Sequence, residues 1–257
     1  MIRCAAALCL LFAGSAGAEV LRFYGYAFDL RSDRHLYTEV HEQIVDGDRW
    51  VGGSITYYLP DGRRFGFKSL DFADDPFVPE FRLELPLEGY TEAIVDNGDP
   101  LVLERREGEG AKLERTTVAR NGPTCADSGF HAFLRSSFDR LMAGETVKLQ
   151  LVVAGSLDQF RFRARRIDDT TFEGEPAVRF RIEPASMLRF VVDPLELTYD
   201  PKERRLLEYR GVSNIRDPQT GAQYVTRIAY YSEPPKQIAA LPPLQAEAEC
   251  GASTFSC

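Results

Sequence analysis

The stretch 125-CADSGFHAFLRSSFDRLMAGETVKLQLVV-153 decides how the rest of the chain is read. Phe130, Phe133, Leu134, Phe138, Leu141 and Met142 recur at spacings of three and four, which gathers them on one face of a helix over about 127–143. Asp127 or Ser128 stands where an N-cap is wanted, and Gly144 where a helix ends in a left-handed residue. Nearly everything on either side alternates with a period of two. One apolar-faced helix among many strands must bury that face on a sheet. The expected fold is therefore mainly β: a strongly curved antiparallel sheet, or an unclosed barrel, packed on one amphipathic helix.

Before the helix, Val20–Leu30, Arg34–Val45, Trp50–Leu59 and Arg64–Phe72 read as strands, with Asp46-Gly47-Asp48 and Pro60-Asp61-Gly62 as turns. A loop at Ala73–Pro79 leads to four shorter strands: Phe81–Leu85, Tyr90–Val95, Leu101–Arg106 and Leu113–Ala119. After Gly144 come Thr146–Val153, Gln159–Ile167, Ala177–Glu183, Leu195–Tyr199, Leu206–Asn214 and Gln223–Tyr231. Strands at this regular spacing belong to a meander, sandwich or barrel. No internal repeat or linker interrupts 19–231, which is read as a single β-rich domain. A Pro-rich, cysteine-bearing tail, 232–257, follows it.

The first eighteen residues are a separate unit. Arg3, the apolar run Ala5–Ala13 and the A-x-A box Ala16-Gly17-Ala18 make a secretory signal peptide with cleavage after Ala18. The expected location is the periplasm. No later segment is apolar for the ~20 residues that a spanning helix needs. Charges such as Glu104, Arg163 and Arg181 within the strands argue against a lipid-facing barrel. The net charge is −8, and loss of Arg3 makes it one unit more negative, which argues against general nucleic-acid binding. Cys4 and Cys9 leave with the signal. Of the three that remain, Cys250 and Cys257 could close a small loop, or Cys125 could be tied to the tail.

Catalytic and cofactor signatures are lacking. His35 and His41 flank Glu39 on one strand face but stand roughly 20 Å apart at ~3.3 Å per residue, too far to share an ion. Cys125 and His131 flank the helix start without a family signature around them. No catalytic residue, metal or cofactor is therefore assigned. The distinctive polar feature is a ladder: Arg161, Arg163 and Arg165 alternate with Phe160, Phe162 and Ala164, and Arg179 and Arg181 alternate with Val178, Phe180 and Ile182. If the two strands form a hairpin, five guanidiniums share one face, able to grip phosphate or carboxylate bidentately. They also make an ordinary charged surface if acids on adjoining strands balance them.

The phrases YYLPDGRRFGFKSLDF (57–72), DSGFHAFLRSSFDRLMAGETVKLQ (127–150) and TYDPKERRLLEYRGVSNIRDPQTG (198–221) resemble a group of exported, uncharacterised bacterial proteins. That resemblance carries no site residue. In architecture alone the pattern is similar to the unclosed barrels of envelope lipoprotein carriers, with an apolar concave side. The function expected from all this is a periplasmic binding or carrier protein for an amphipathic, anionic ligand such as a lipid. Phe133, Phe138, Met142, Phe162 and Phe180 would meet the apolar part, and Arg161, Arg163, Arg165, Arg179 and Arg181 the headgroup. The alternatives are a non-catalytic envelope scaffold that contacts a partner protein, and a hydrolase of unrecognised type.

Overall fold

The structure is a computed structural model that describes residues 18–47, 49–185 and 193–244. The expected signal segment before Ala18, Cys250, Cys257 and the end of the tail lie outside the described residues.

A single sheet of 15 strands contains every strand described. The first eight follow one another as a meander: β1 (Glu19–Asp29), β2 (His35–Asp46), β3 (Arg49–Tyr58), β4 (Arg64–Asp71), β5 (Glu80–Leu85), β6 (Tyr90–Asp96), β7 (Leu101–Glu107) and β8 (Glu114–Val118). A short strand β9 (Thr124–Ala126) precedes the helices α1 (Gly129–Ser136) and α2 (Phe138–Met142). A second meander then runs back through β10 (Val147–Val153), β11 (Asp158–Phe172), β12 (Glu175–Pro184), β13 (Leu195–Tyr199), β14 (Leu206–Arg216) and β15 (Gln223–Ala229). The last strand pairs with the first, Tyr26 opposite Ala229, and this joins the two meanders into one curved sheet.

The sheet is mainly antiparallel and does not close. Its two edges are β8 and β9, which are not paired with each other. Exposed edges invite pairing with other chains, and the two are protected differently. β8 is short and carries Glu114 and Arg115. β9 is three buried residues long, paired in parallel with β10, and its Ala126 N–H donates to Phe77 O at 2.9 Å. The β4–β5 loop thus closes over that edge. Gly129 makes this possible, because a Cβ there would stand 2.2 Å from Phe77 O.

The helical stretch is real but broken. Ser137 takes a non-helical conformation (φ −98°, ψ 7°), and Ser136 Oγ donates to Phe133 O at 2.7 Å. Hydroxyls bonded back to the main chain weaken a helix, and the Ser136-Ser137 pair marks the break. Gly144 ends α2 at φ +83°, as its sequence position suggested. Neither Asp127 nor Ser128 caps α1 in the ordinary way. Asp127 sits at φ 43°, spends Oδ1 on the Ser128 N–H and hydroxyl, and gives Oδ2 to Lys68.

Two cores result. One joins the concave faces of β1–β7 with Ile215 and Ile228 from the later strands. The other joins α1 and α2 to Val147, Leu149, Ala164, Val178, Phe180, Ile182, Leu197 and Tyr199 from β10–β13. On the convex side the Pro-rich segment crosses β1: Tyr24 OH donates to Pro242 O at 2.6 Å. Tyr26–Phe28 of that strand are buried, with Tyr231 against Tyr26 and Arg227 over the Phe28 ring.

Candidate binding site

The apolar residues singled out from the sequence meet at the helix–sheet interface. Phe138 and Phe180 are buried edge to face, with ring centroids 5.2 Å apart, and Phe138 meets Tyr199 at 5.8 Å. Phe133 packs on Phe77 of the β4–β5 loop at 5.7 Å, and Met142 and Phe162 lie half-buried against the same cluster. Aromatic pairs in this geometry add to the ~1.5–3 kcal/mol from burying each ring. The helices lie directly on the strands.

The five arginines do share the opposite, convex face. β11 and β12 form the expected hairpin, with Arg165 directly across from Arg181. Like charges so placed repel, and carboxylates separate them. Arg163 Nη2 lies 2.6 Å from Glu183 and Arg181 Nη2 2.6 Å from Glu196. A bulge between Arg166 and Asp168 brings Asp168 opposite Arg179, whose Nε donates to it at 2.8 Å. Arg165 is 3.7 Å from Glu183, and Arg161 is exposed. Partial burial pushes the Glu183 carboxyl up, but the bond from Arg163 and the nearby Arg165 and Arg181 outweigh it, and the net shift is downward. Phe162 and Phe180 are thus on the opposite face of β11 and β12 from the arginines, and the rings and four of the five arginines already have partners.

A polar seam crosses the concave interior, and sequence reasoning did not find it. Lys68 on β4 bonds Asp127 at 2.6 Å, both almost fully buried. Asn214 on β14 donates to Asp127 Oδ2 at 3.2 Å and to Glu92 Oε1 on β6 at 3.0 Å, and Tyr90 OH donates to Glu92 Oε2 at 2.7 Å. Burial raises the Glu92 pKa against the pull of Tyr90 and Lys68. Gly155, in a 3₁₀ turn at Ala154–Ser156, lies against this pair; a Cβ there would stand 2.3 Å from Glu92 Oε2. Nearby, His41 Nε2 is 2.7 Å from Glu39, and its ring stacks on Phe23 at 4.6 Å. A signal was available for Glu92, which shares a strand face with Tyr90 and Ile94, and for Lys68, which shares one with Leu70, whereas Glu39 alternates with Leu36 and Val40 and gave none. The seam braces two halves of the sheet and the start of α1. Among the described residues no cluster of three or more His, Cys, Asp or Glu could hold a metal ion.

Among the described residues an open pocket lies at one end of the barrel. In a meander, alternate hairpin turns gather at the same end. Here the β1–β2, β3–β4, β5–β6 and β14–β15 turns surround a cavity of about 470 Å³. Leu36, Leu59, Pro60, Leu87, Pro218 and Tyr224 form its apolar part, and Arg34, Asp61, Arg63, Asp217 and Gln219 its polar part. Arg63 is held by Asp61 at 2.7 Å, and Asp217 turns its carboxylate onto the Gln219 N–H at 2.7 Å. The sequence shows these residues only as turn formers. Their convergence needs the β1–β15 pairing, which no local pattern announces.

No family model matches the chain, and no curated protein matches it. Among solved structures it is similar to the crystal structure of a β-barrel-like protein of domain of unknown function DUF1849 from Brucella abortus. The identity is 8%, the TM-score 0.44, and the match covers 84% of this chain and 98% of the other. The chain described here is itself barrel-like and unclosed. No described helix is long and apolar enough to cross a membrane. The Cys125 thiol is free and buried, and burial raises its pKa well above the ordinary range.

Proposed function

We propose that the protein is exported to the periplasm and binds an amphipathic ligand, such as a lipid, without transforming it. The observation that carries this reading is the barrel-end cavity. Its volume of about 470 Å³ lies within the ~300–1,000 Å³ usual for small-molecule sites, and its walls combine apolar surface with a few polar groups. The apolar part of the ligand would lie on Leu36, Leu59 and Tyr224, with Arg34 and Arg63 at the rim for an anionic group. This moves the expected site away from Phe133, Phe138, Met142, Phe162 and Phe180. Those side chains bury one another, and the arginine ladder behind them is shared with Glu183, Glu196 and Asp168. Export is supported by position: β1 starts at Glu19, so cleavage after Ala18 would spare every described strand.

The test is native mass spectrometry of protein recovered from the envelope of its own host. The expected result is a mature chain beginning at Glu19 with an extra mass that organic solvent removes. Leu59→Asp, which puts a charge on the cavity wall, should lower the occupied fraction several-fold. A bare chain from the native host would sink the binding reading, and an uncleaved leader would sink the export reading.

A further inference from the structure

The convex face of β10–β15 keeps a surplus of positive charge that its own acids do not cancel. Strand register sets Arg165, Arg181, Glu196, Arg210 and Arg227 side by side, one on each of β11 to β15. At ~4.8 Å between strands the row is about 19 Å long. Each glutamate of this face is shared by two arginines. Glu183 is met by Arg163 at 2.6 Å and Arg165 at 3.7 Å, and Glu196 by Arg181 at 2.6 Å and Arg179 at 3.9 Å. Glu208 is met by Arg210 at 3.1 Å and Arg227 at 3.4 Å. Among the described residues, six guanidiniums therefore stand against three carboxylates. At the margins Lys148 and Arg161 offset Asp168 and Asp33, the acids that meet Arg179 and Arg227. A surplus of three positive charges remains on a chain whose net charge is −8. Glu173 and Glu175 lie beyond this band at the hairpin turn, past the buried Ala177.

The charges are also layered. The three glutamate side chains are 14–20% exposed, whereas those of Arg163, Arg165, Arg179, Arg181 and Arg210 are 32–39% exposed. Arginine has the longer stem, so pairing on one face leaves its head outermost. Each head carries five N–H donors, more than the glutamate beneath can accept. Next along β14 and β15 on the same face, Val212 stands opposite Val225, and both are nearly half exposed. The valine pair leads to the β14–β15 turn at Asp217, so the basic face adjoins the cavity mouth.

Guanidiniums spread over a sheet, rather than gathered in a groove, suit a partner that presents many anionic groups in a plane. The valines add apolar surface of the kind that enters a headgroup layer, from which a soluble polyanion gains nothing. A chain of net negative charge is repelled as a whole by such a surface, so attraction requires this face to lead. We infer that the protein docks on anionic lipid membranes through the convex face of β11–β15, with Arg163, Arg165, Arg181 and Arg210 on headgroup phosphates and Val212 and Val225 at the acyl boundary. This docking surface is separate from the barrel-end cavity and stands whether or not the cavity is filled.

The test is cosedimentation of the mature chain with vesicles of phosphatidylcholine, alone or with about one-third phosphatidylglycerol. At low ionic strength the anionic vesicles should bind about ten-fold more protein, and ~0.5 M salt should abolish the difference. Arg165→Gln with Arg210→Gln leaves every glutamate one arginine and removes two of the three surplus charges. That pair should cut binding to the anionic vesicles about five-fold while the circular dichroism melt stays unchanged. Arg115→Gln, the same charge change on the exposed edge β8, should bind as the wild type does. If the double variant fails to fold, Lys148→Gln with Arg161→Gln, both exposed, should cut binding by a similar factor. Equal binding to the two kinds of vesicle, or an equal loss from Arg115→Gln, would overturn the inference. Binding to heparin with none to the anionic vesicles would overturn it in favour of a soluble polyanion. Leu59→Asp in the cavity wall should dock normally, and loss of docking there would assign the vesicle contact to the cavity and overturn the inference as well.

Discussion

The two ends of the concave interior are filled in different ways. Under β10–β13 the helices α1 and α2 bring Phe130, Phe133, Leu134, Phe138 and Leu141 onto the sheet, and the aromatic rings interlock. At the other end no helix intervenes. There the strands converge on a seam of paired charges, and beyond it the turns leave a cavity. The same sheet is therefore a closed core where an apolar helix covers it and an open mouth where only turns do. An apolar surface is not a binding site when the chain supplies its own ligand. The helix pair plays that part here, which is why the most hydrophobic segment is spent on the core.

Substitutions can widen this contrast or erase it. The largest effect is expected from Phe138→Ala, which removes a ring that is 1% exposed and in contact with Phe180 and Tyr199. It should cost about 3–5 kcal/mol in denaturant unfolding, whereas Leu87→Ala at the mouth, 57% exposed, should stay within about 0.5 kcal/mol. Comparable losses at the two positions would remove the distinction between plug and mouth.

A middle-sized effect should appear in the pH dependence of the plugged end. His131 on α1 shares a 3.0 Å hydrogen bond with Tyr199 OH; burial, aided by Arg135, pushes its pKa down to about 3. The folded protein keeps this ring neutral while the unfolded chain protonates it below about 6.5. Its contribution is therefore complete above pH 6.5 and is lost progressively as pH falls toward 3. Melting temperatures taken from pH 7 to 4 should fall less steeply for His131→Gln than for the wild type. Glu92 in the seam acts with the opposite sign, since its raised pKa favours the fold at low pH. Parallel curves for the wild type and His131→Gln would mean that the ring is hydrated.

The smallest effect belongs to the convex ladder. Arg181→Ala deletes a partly exposed ion pair with Glu196 and also relieves the repulsion from Arg165 across the hairpin. The two changes oppose each other, and exposed pairs are each worth about 0–1 kcal/mol. The unfolding midpoint should barely move, and the residual effect should shrink further in 0.5 M salt. A loss above about 2 kcal/mol would show that the ladder supports the sheet.

Much of the architecture was legible locally. Period-two alternation located the strands, and the spacing of Phe130 to Met142 located the helices, because each pattern reflects one buried face. The sequence reading expected one helix over about 127–143 and did not place the break at Ser137, which the Ser-Ser pair marks. The short parallel strand at Thr124–Ala126 was not read either, since three residues are too few to carry a period. The ladder shows both sides of the matter: alternation correctly put the arginines on one face, but whether they were free depended on Glu183, Glu196 and Asp168. Those acids arrive through strand register and a bulge.

The sequence by itself determined that this chain makes a curved, mainly antiparallel sheet with one apolar helical segment to bury, because such periodicities are properties of neighbouring residues. The tertiary structure decided everything that depends on residues distant in the chain. Pairing of Tyr26 with Ala229 brings the turn at Asp217 beside the turns at Pro60 and Leu87, and so creates the mouth. The bulge after Arg166 hands Asp168 to Arg179, a pairing no local pattern can encode. Hydrogen-bond satisfaction and cavity shape are sums over the whole chain, and only the folded molecule performs that sum.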